Sequence, residues 1–170
     1  MHSRIFGIMP YEDWKAMKDK PVIDYYDEPP HFVDYTDDDT DLNEDFDWLS
    51  ESLQRNGCDS YVTIDKPNLT IKFKKGFKQA YFKNRFDEFV KAVLAPEMFD
   101  NFCGEGKVDM YRIKKLIELD YEFYAADEYG GYETMDSFLR RVDYDTEYKV
   151  FQSIDYHFSW RYFYGKFYNW

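Results

Sequence analysis

Tyr61-Val-Thr-Ile-Asp-Lys-Pro-Asn-Leu-Thr-Ile-Lys-Phe73 contains two short runs, 61–64 and 69–73, that alternate apolar and polar residues on either side of Asp65-Lys-Pro-Asn68. A period of two turns one side of an extended chain toward a core. Asp, Pro and Asn between the runs are turn formers, so the stretch predicts an antiparallel hairpin. Directly after it, Phe77, Tyr81, Phe82, Phe86, Phe89, Val90 and Val93 recur at helical spacing and stop before Pro96, which predicts a long amphipathic helix. A local hairpin followed by a helix has no need of a parallel crossover, and this pairing sets the expected class.

Upstream, residues 3–9 read as a strand and 11–18 as one or two helical turns around Trp14, ended by Pro21. Pro29-Pro30 confines its surroundings to loop or edge strand, because consecutive prolines cannot donate to a ladder. Asp41 followed by Glu44 has the character of a capping box. Leu42, Phe46, Leu49 and Leu53 then form a helical stripe that Gly57 closes, with the acids of this helix expected on its solvent face. Downstream, Gly104-Glu-Gly106 precedes a helix expected at about 108–119 with Tyr111, Leu116 and Ile117 inward, and 121–125 reads as a strand. Met135, Phe138, Leu139 and Val142 mark a short helix, and an alternating segment runs from 148 toward 164. The expected architecture is a single α+β domain over residues 1–170, a mostly antiparallel sheet with three to four helices. No fixed-period repeat is present.

Composition narrows the function classes. Aromatic residues make up 22% of the 170, enough bulky apolar surface to form a core despite 33% charged residues. The net charge of −12 argues against direct nucleic-acid binding, which depends on Lys and Arg neutralising phosphates, and favours a basic partner. Cys58 and Cys103 are too few for a disulfide framework or a cysteine zinc site, so a reducing cytoplasm is the expected compartment. The N-terminal residues lack a signal-peptide pattern, and no run of about 18 apolar residues is long enough to cross a membrane.

Chemical motifs are scarce. His2, His31 and His157 lie far apart, neither HExxH nor GxSxG occurs, and Gly104 and Gly106 belong to neither GxGxxG nor a P-loop. Asp37, Asp39 and Asp41 have the alternate spacing that opens an EF-hand loop. Leu42 then stands where the loop needs glycine and Trp48 where it needs a bidentate carboxylate. The expectation is a non-enzymatic chain with no cofactor and no dedicated metal site.

Charge is sorted along the sequence. Residues 24–51 hold twelve acids and no Lys or Arg, whereas 66–91 hold eight bases against two acids. Either the basic helix packs beside the acidic segment and neutralises it, or the two blocks face apart and the acids are displayed. In the second case Asp34, Asp37, Asp38, Asp39, Asp41, Glu44 and Asp45 are candidate partner-binding residues. An extended acidic run spaces its residues about 3.3 Å apart, close to the charge spacing of a DNA strand. Residues 160–170 add seven aromatics, two bases and no acid. They read either as a final sheet strand or as an interface in which Trp160, Tyr162 and Tyr164 anchor a partner.

Small size, acidity, aromatic richness and the Asp-rich segment resemble the inhibitors that phages and mobile elements direct against host defence, of the anti-CRISPR and antirestriction type, and Ser3-Arg-Ile-Phe6, Asp136-Ser-Phe-Leu-Arg140 and Asp155-Tyr-His157 resemble stretches of small proteins from mobile elements of Gram-positive bacteria. The resemblance implies a bacterial cytoplasm and a target such as a CRISPR effector nuclease or a restriction enzyme, bound through a phosphate-mimicking acidic surface. Two alternatives stand beside it: a protein-interaction or immunity module, and a divergent metal-dependent nuclease.

Overall fold

The computed structural model describes residues 2–25, 29–30, 33–37, 40–95 and 123–158. Its strands are β1 (His2–Pro10), β2 (Val33–Asp37), β3 (Val62–Asp65), β4 (Thr70–Phe73), β5 (Phe123–Ala126), β6 (Tyr132–Thr134) and β7 (Glu147–Phe158). Among the described residues four α-helices accompany them: α1 (Tyr11–Ala16), α2 (Leu42–Gln54), α3 (Phe77–Val93) and α4 (Met135–Arg141). The class is α+β with a mostly antiparallel sheet.

All seven strands join one sheet, in the order β3-β4-β7-β1-β5-β6, with β2 also paired to β7. The twelve-residue β7 is its spine. One edge of β7 carries the whole of β1, from His2↔His157 to Pro10↔Tyr148. Its other edge is shared, the first part by β4 (Thr70↔Lys149) and the far end by β2 (Tyr35↔His157, Asp37↔Asp155). The hairpin read from 61–73 forms as β3 and β4, in register Val62↔Phe73.

The β1–β5 pair is an exception within this mostly antiparallel sheet. It is parallel, with Phe6 opposite Ala125. The two strands are separated by more than a hundred residues, so no local turn signal could announce the pairing. The short edge strand β6 also escaped the sequence reading. The helix expected at 108–119, the start of the strand expected at 121–125 and the continuation of the last segment beyond 158 lie outside the described residues.

Alternation along the strands divides the core between the two sides of the sheet. On one side Phe6, Ile8, Ile71, Phe73, Phe123 and Val150 meet the apolar stripes of three helices: Phe46, Leu49 and Leu53 of α2, Phe77 of α3, and Met135, Phe138 and Leu139 of α4. Each such buried side chain contributes roughly 1.5–3 kcal/mol relative to exposure. On the other side Ile5, Tyr124, Ala126, Ile154 and Tyr156 are covered by Ile23 and Tyr25 from an extended segment. Gln152 holds that segment by both backbone groups of Ile23, accepting from its N–H (2.8 Å) and donating to its carbonyl (2.9 Å). One side chain thus replaces a ladder.

The sheet bends where Gly7 pairs with Gln152 and Ile8 with Val150, leaving Phe151 as an extra residue on β7. The Phe151 ring lies over Gly7, where a Cβ would come 2.6 Å from it. Trp14 stacks on the outer side of Phe151 with centroids 5.5 Å apart, which attaches α1. A glycine is therefore required at position 7 for space. Gly7→Ala is expected to destabilise the chain by about 1–3 kcal/mol in urea unfolding, with Phe151→Leu in the same chain restoring part of the loss. An unchanged midpoint for Gly7→Ala would contradict this packing.

The second core also predicts a pH response. Burial, aided by Asp127 near Tyr25 and by Tyr132, pushes the phenols of Tyr25 and Tyr124 up to about 12. In the unfolded chain they release protons near pH 10. Between these values the unfolded state binds fewer protons than the folded one, so this stability is complete below pH 10 and is lost as pH rises toward 12. Urea midpoints measured across that window should fall, and fall less in Tyr25→Phe and Tyr124→Phe. A flat profile would show that these phenols are not held neutral by the fold.

Candidate functional site

The acidic segment meets the sheet along the far end of β7. Strand β2 pairs there, and Thr36 Oγ1 donates to the carbonyl of Tyr25 (3.0 Å). Thr40 Oγ1 reaches Ser153, with both the backbone carbonyl and Oγ at 2.8 Å. Asp41 then caps α2, its Oδ1 accepting from the N–H groups of Asn43 (2.9 Å) and Glu44 (3.3 Å). This is the role its position suggested: a carboxylate satisfies N–H groups that lack a partner in the first turn and complements the helix dipole.

The next anchor comes from β1. Arg4 Nε donates to Asp45 Oδ1 (2.8 Å), and Arg4 Nη1 lies 3.0 Å from Asp155 Oδ1. The guanidinium carbon sits 5.9 Å from the centroid of the Trp48 ring. One cation thereby joins a carboxylate on α2 to one on β7. It also lowers the repulsion between Asp155 and Asp37, which are opposite each other in the β2–β7 register.

The candidate residues consequently divide. Asp37, Asp41 and Glu44 are exposed along one ledge formed by the end of β2 and the first turn of α2. Asp45 is buried, 6% exposed, and belongs to the Arg4 clamp, so the expectation that acids of this helix face solvent fails at that residue. Its place was readable, since Leu42, Asp45, Phe46 and Leu49 follow the i, i+3, i+4, i+7 spacing of the inward stripe. Asp34 lies in β2 with its side chain outside the described residues. Asp38, Asp39, Trp160, Tyr162 and Tyr164 are outside them altogether.

Three participants were missed in the sequence. Arg4 is one; a base leading into the apolar run Ile5–Met9 was its available signal. Tyr35 and His157 are the others, stacked at 5.2 Å and 9° beside the ledge, a contact that only the β2–β7 register creates.

The acidic and basic blocks meet at the ion pair Lys66 Nζ–Asp47 Oδ1 (2.8 Å), whose side chains are both at least half exposed. Such a pair contributes about 0–1 kcal/mol. Other bases of the block turn elsewhere: Lys83 to Asp87 on its own helix, and Arg85 to the buried Asp136 of α4 at 2.6 Å.

Catalytic signs among the described residues are few. No group of three or more His, Cys, Asp or Glu is placed to hold a metal ion. Cys58 is buried, and burial pushes its thiol up, away from the thiolate that nucleophilic chemistry needs. Among the described residues no helix is long and apolar enough to cross a membrane. Compared with protein-family models, curated proteins and solved structures, the chain matches none.

The clamp is testable by itself. Arg4→Met keeps much of the side-chain volume but removes the guanidinium that Asp45 and Asp155 share, and should lower unfolding free energy by about 2–4 kcal/mol. Adding Asp45→Asn should recover part of that loss. A change below about 0.5 kcal/mol, the size of an ordinary surface substitution, would remove Arg4 from the account.

Proposed function

We propose that this chain is a binding protein that presents its acidic ledge to a basic partner, and that it acts as an inhibitor of a nucleic-acid-binding host defence enzyme of the CRISPR effector or restriction class. The observation that carries the reading is that Asp37, Asp41 and Glu44 are exposed on backbone fixed by the β2–β7 ladder, by Thr40 on Ser153 and by the Asp41 cap. Acids on a loose loop lose conformational entropy when they bind. A ledge already in place presents charge with much less ordering to do.

Phosphate-like charge on a rigid surface would enter a groove lined by Lys and Arg, drawn there by attraction that added salt screens. Occupation of that groove excludes nucleic acid without any bond being made or broken. The exposed ring of Tyr35, stacked on His157 next to the acids, favours a second reading in the same class, an interaction or immunity module with an aromatic anchor.

The test is capture of a nucleic-acid-binding enzyme from bacterial lysate, followed by its DNA-binding assay with and without this chain. Asp37, Asp38, Asp39 and Asp41 changed together to Asn should weaken binding by at least about tenfold, as expected when several charge contacts are lost. Asn still caps α2, so the helix stays intact. Salt should weaken the parent complex strongly and the variant's little. Full inhibition by the variant, or inhibition insensitive to salt, would end the acidic-ledge reading.

A further inference from the structure

A cavity of about 560 Å³ opens where the parallel strands β1 and β5 deliver their carboxyl ends, lined further by residues of α4 and the start of β7. Small-molecule sites commonly occupy about 300–1,000 Å³. The opening has a topological cause: β1 passes on into α1 while β5 turns back into β6, so the two chains separate just beyond their last paired residues. Crevices of this kind recur at the carboxyl ends of parallel strands.

The walls specify a chemistry. Ile8, Ala125, Phe138 and Val142 supply buried apolar surface, and the rings of Tyr132 and Tyr148 line it as well. Among the described residues the polar lining holds four acids, Asp127, Glu128, Glu133 and Asp143, against one base, Arg141. That base is engaged by Glu133, which accepts from Arg141 Nε (3.2 Å) and Nη2. The remaining lining is negative, so an anion is disfavoured and a cation is attracted.

The mouth is also fixed in shape. Asp127 Oδ1 accepts from the N–H groups of Tyr129 (2.9 Å) and Gly131 (2.8 Å), and Tyr25 OH donates to the Gly130 carbonyl. Tyr148 OH accepts from the Asp143 N–H (2.8 Å), which ties the backbone of Asp143, a lining residue, to a ring of the wall. Tyr25 and Tyr132 meet edge to face at 6.3 Å, a contact that helps to orient the Tyr132 ring. Carboxylates around aromatic and aliphatic walls match an alkyl chain ending in ammonium groups: the stem packs on the apolar surface, and the charged ends meet acids and ring faces.

We propose that this cavity is a binding site for a small organic polycation, of which an alkyl polyamine is the simplest member. It shares no residue with the acidic ledge, so either reading can fail without the other. Isothermal titration with spermidine, with magnesium as the inorganic control, tests it. One saturable spermidine per chain is expected, with no matching magnesium site. Glu128→Gln with Asp143→Asn should weaken binding about tenfold, and Tyr132→Leu about threefold. Removing equal charge from the ledge, Asp41→Asn with Glu44→Gln, should leave affinity within about twofold, because charges beyond a Debye length are screened. Circular dichroism checks that each variant is folded. Equal weakening by the two double variants, several weak equivalents per chain, or equal competition by magnesium would each overturn the site and leave only the ion atmosphere of an acidic protein.

Discussion

Strand β7 is the constraint on which the structure depends. Both of its edges are used, by β1 along one side and by β4 and β2 in succession along the other. A break in its register would shift three pairings at once and exchange the residues facing the two cores, since a slip of one residue reverses every side chain. Phe151 and Gly7 allow the irregularity in the β1–β7 pairing; the β2–β7 pairing carries another, between Val33 and Tyr35. The extra residue is absorbed where a glycine leaves room for the ring, and Trp14 seals the place from outside. The register on both sides of the bulge then serves different ends: Tyr148 and Val150 face the helices, while Ile154 and Tyr156 face the segment carried by Ile23 and Tyr25.

The same strand organises the charge. Its far end takes β2 through backbone pairing, Thr40 through Ser153, and α2 through Asp155 and Arg4. An acidic run of this density would repel itself as an isolated chain, and the sheet overcomes that by giving the backbone partners and by giving Asp45 a guanidinium, which Asp155 of β7 shares. The cost falls on Asp45 and Asp155, which are withdrawn from display to hold the frame. Asp37, Asp41 and Glu44 remain outward. The basic block is disposed of differently, with Arg85 drawn in to Asp136 and Lys66 touching the acidic helix at Asp47. Neither arrangement imagined from the sequence is complete: the blocks touch at Lys66–Asp47, and the ledge still faces outward.

What could be read from the sequence was local. The hairpin around Asp65-Lys-Pro-Asn68, the stripe Leu42–Phe46–Leu49–Leu53 and the helix beginning at Phe77 each declare themselves within a window of a few turns, because turn chemistry and periodicity act over that range. The parallel β1–β5 pair depends on residues distant in the chain and left no such mark. Asp45 was misplaced because an acid was assigned outward by type, although its spacing put it among Phe46 and Leu49. The stacking of Tyr35 on His157, and the cavity beyond Ala126, exist only after the sheet has assembled. For the ledge, composition located the acids, and only the geometry showed that Asp37, Asp41 and Glu44 are exposed and Asp45 is buried.

The central claim is that the acidic ledge is held by β7 before any partner arrives. Amide hydrogen exchange of the free chain, followed residue by residue, measures this directly. The account predicts slow exchange for the paired amides of β2, and for the first amides of α2 under the Asp41 cap, with protection falling in step with that of β7 as denaturant is added. Exchange at the rate of an unstructured chain across 33–44, beside a protected β7, would mean that the acids are not fixed in advance and would contradict the account.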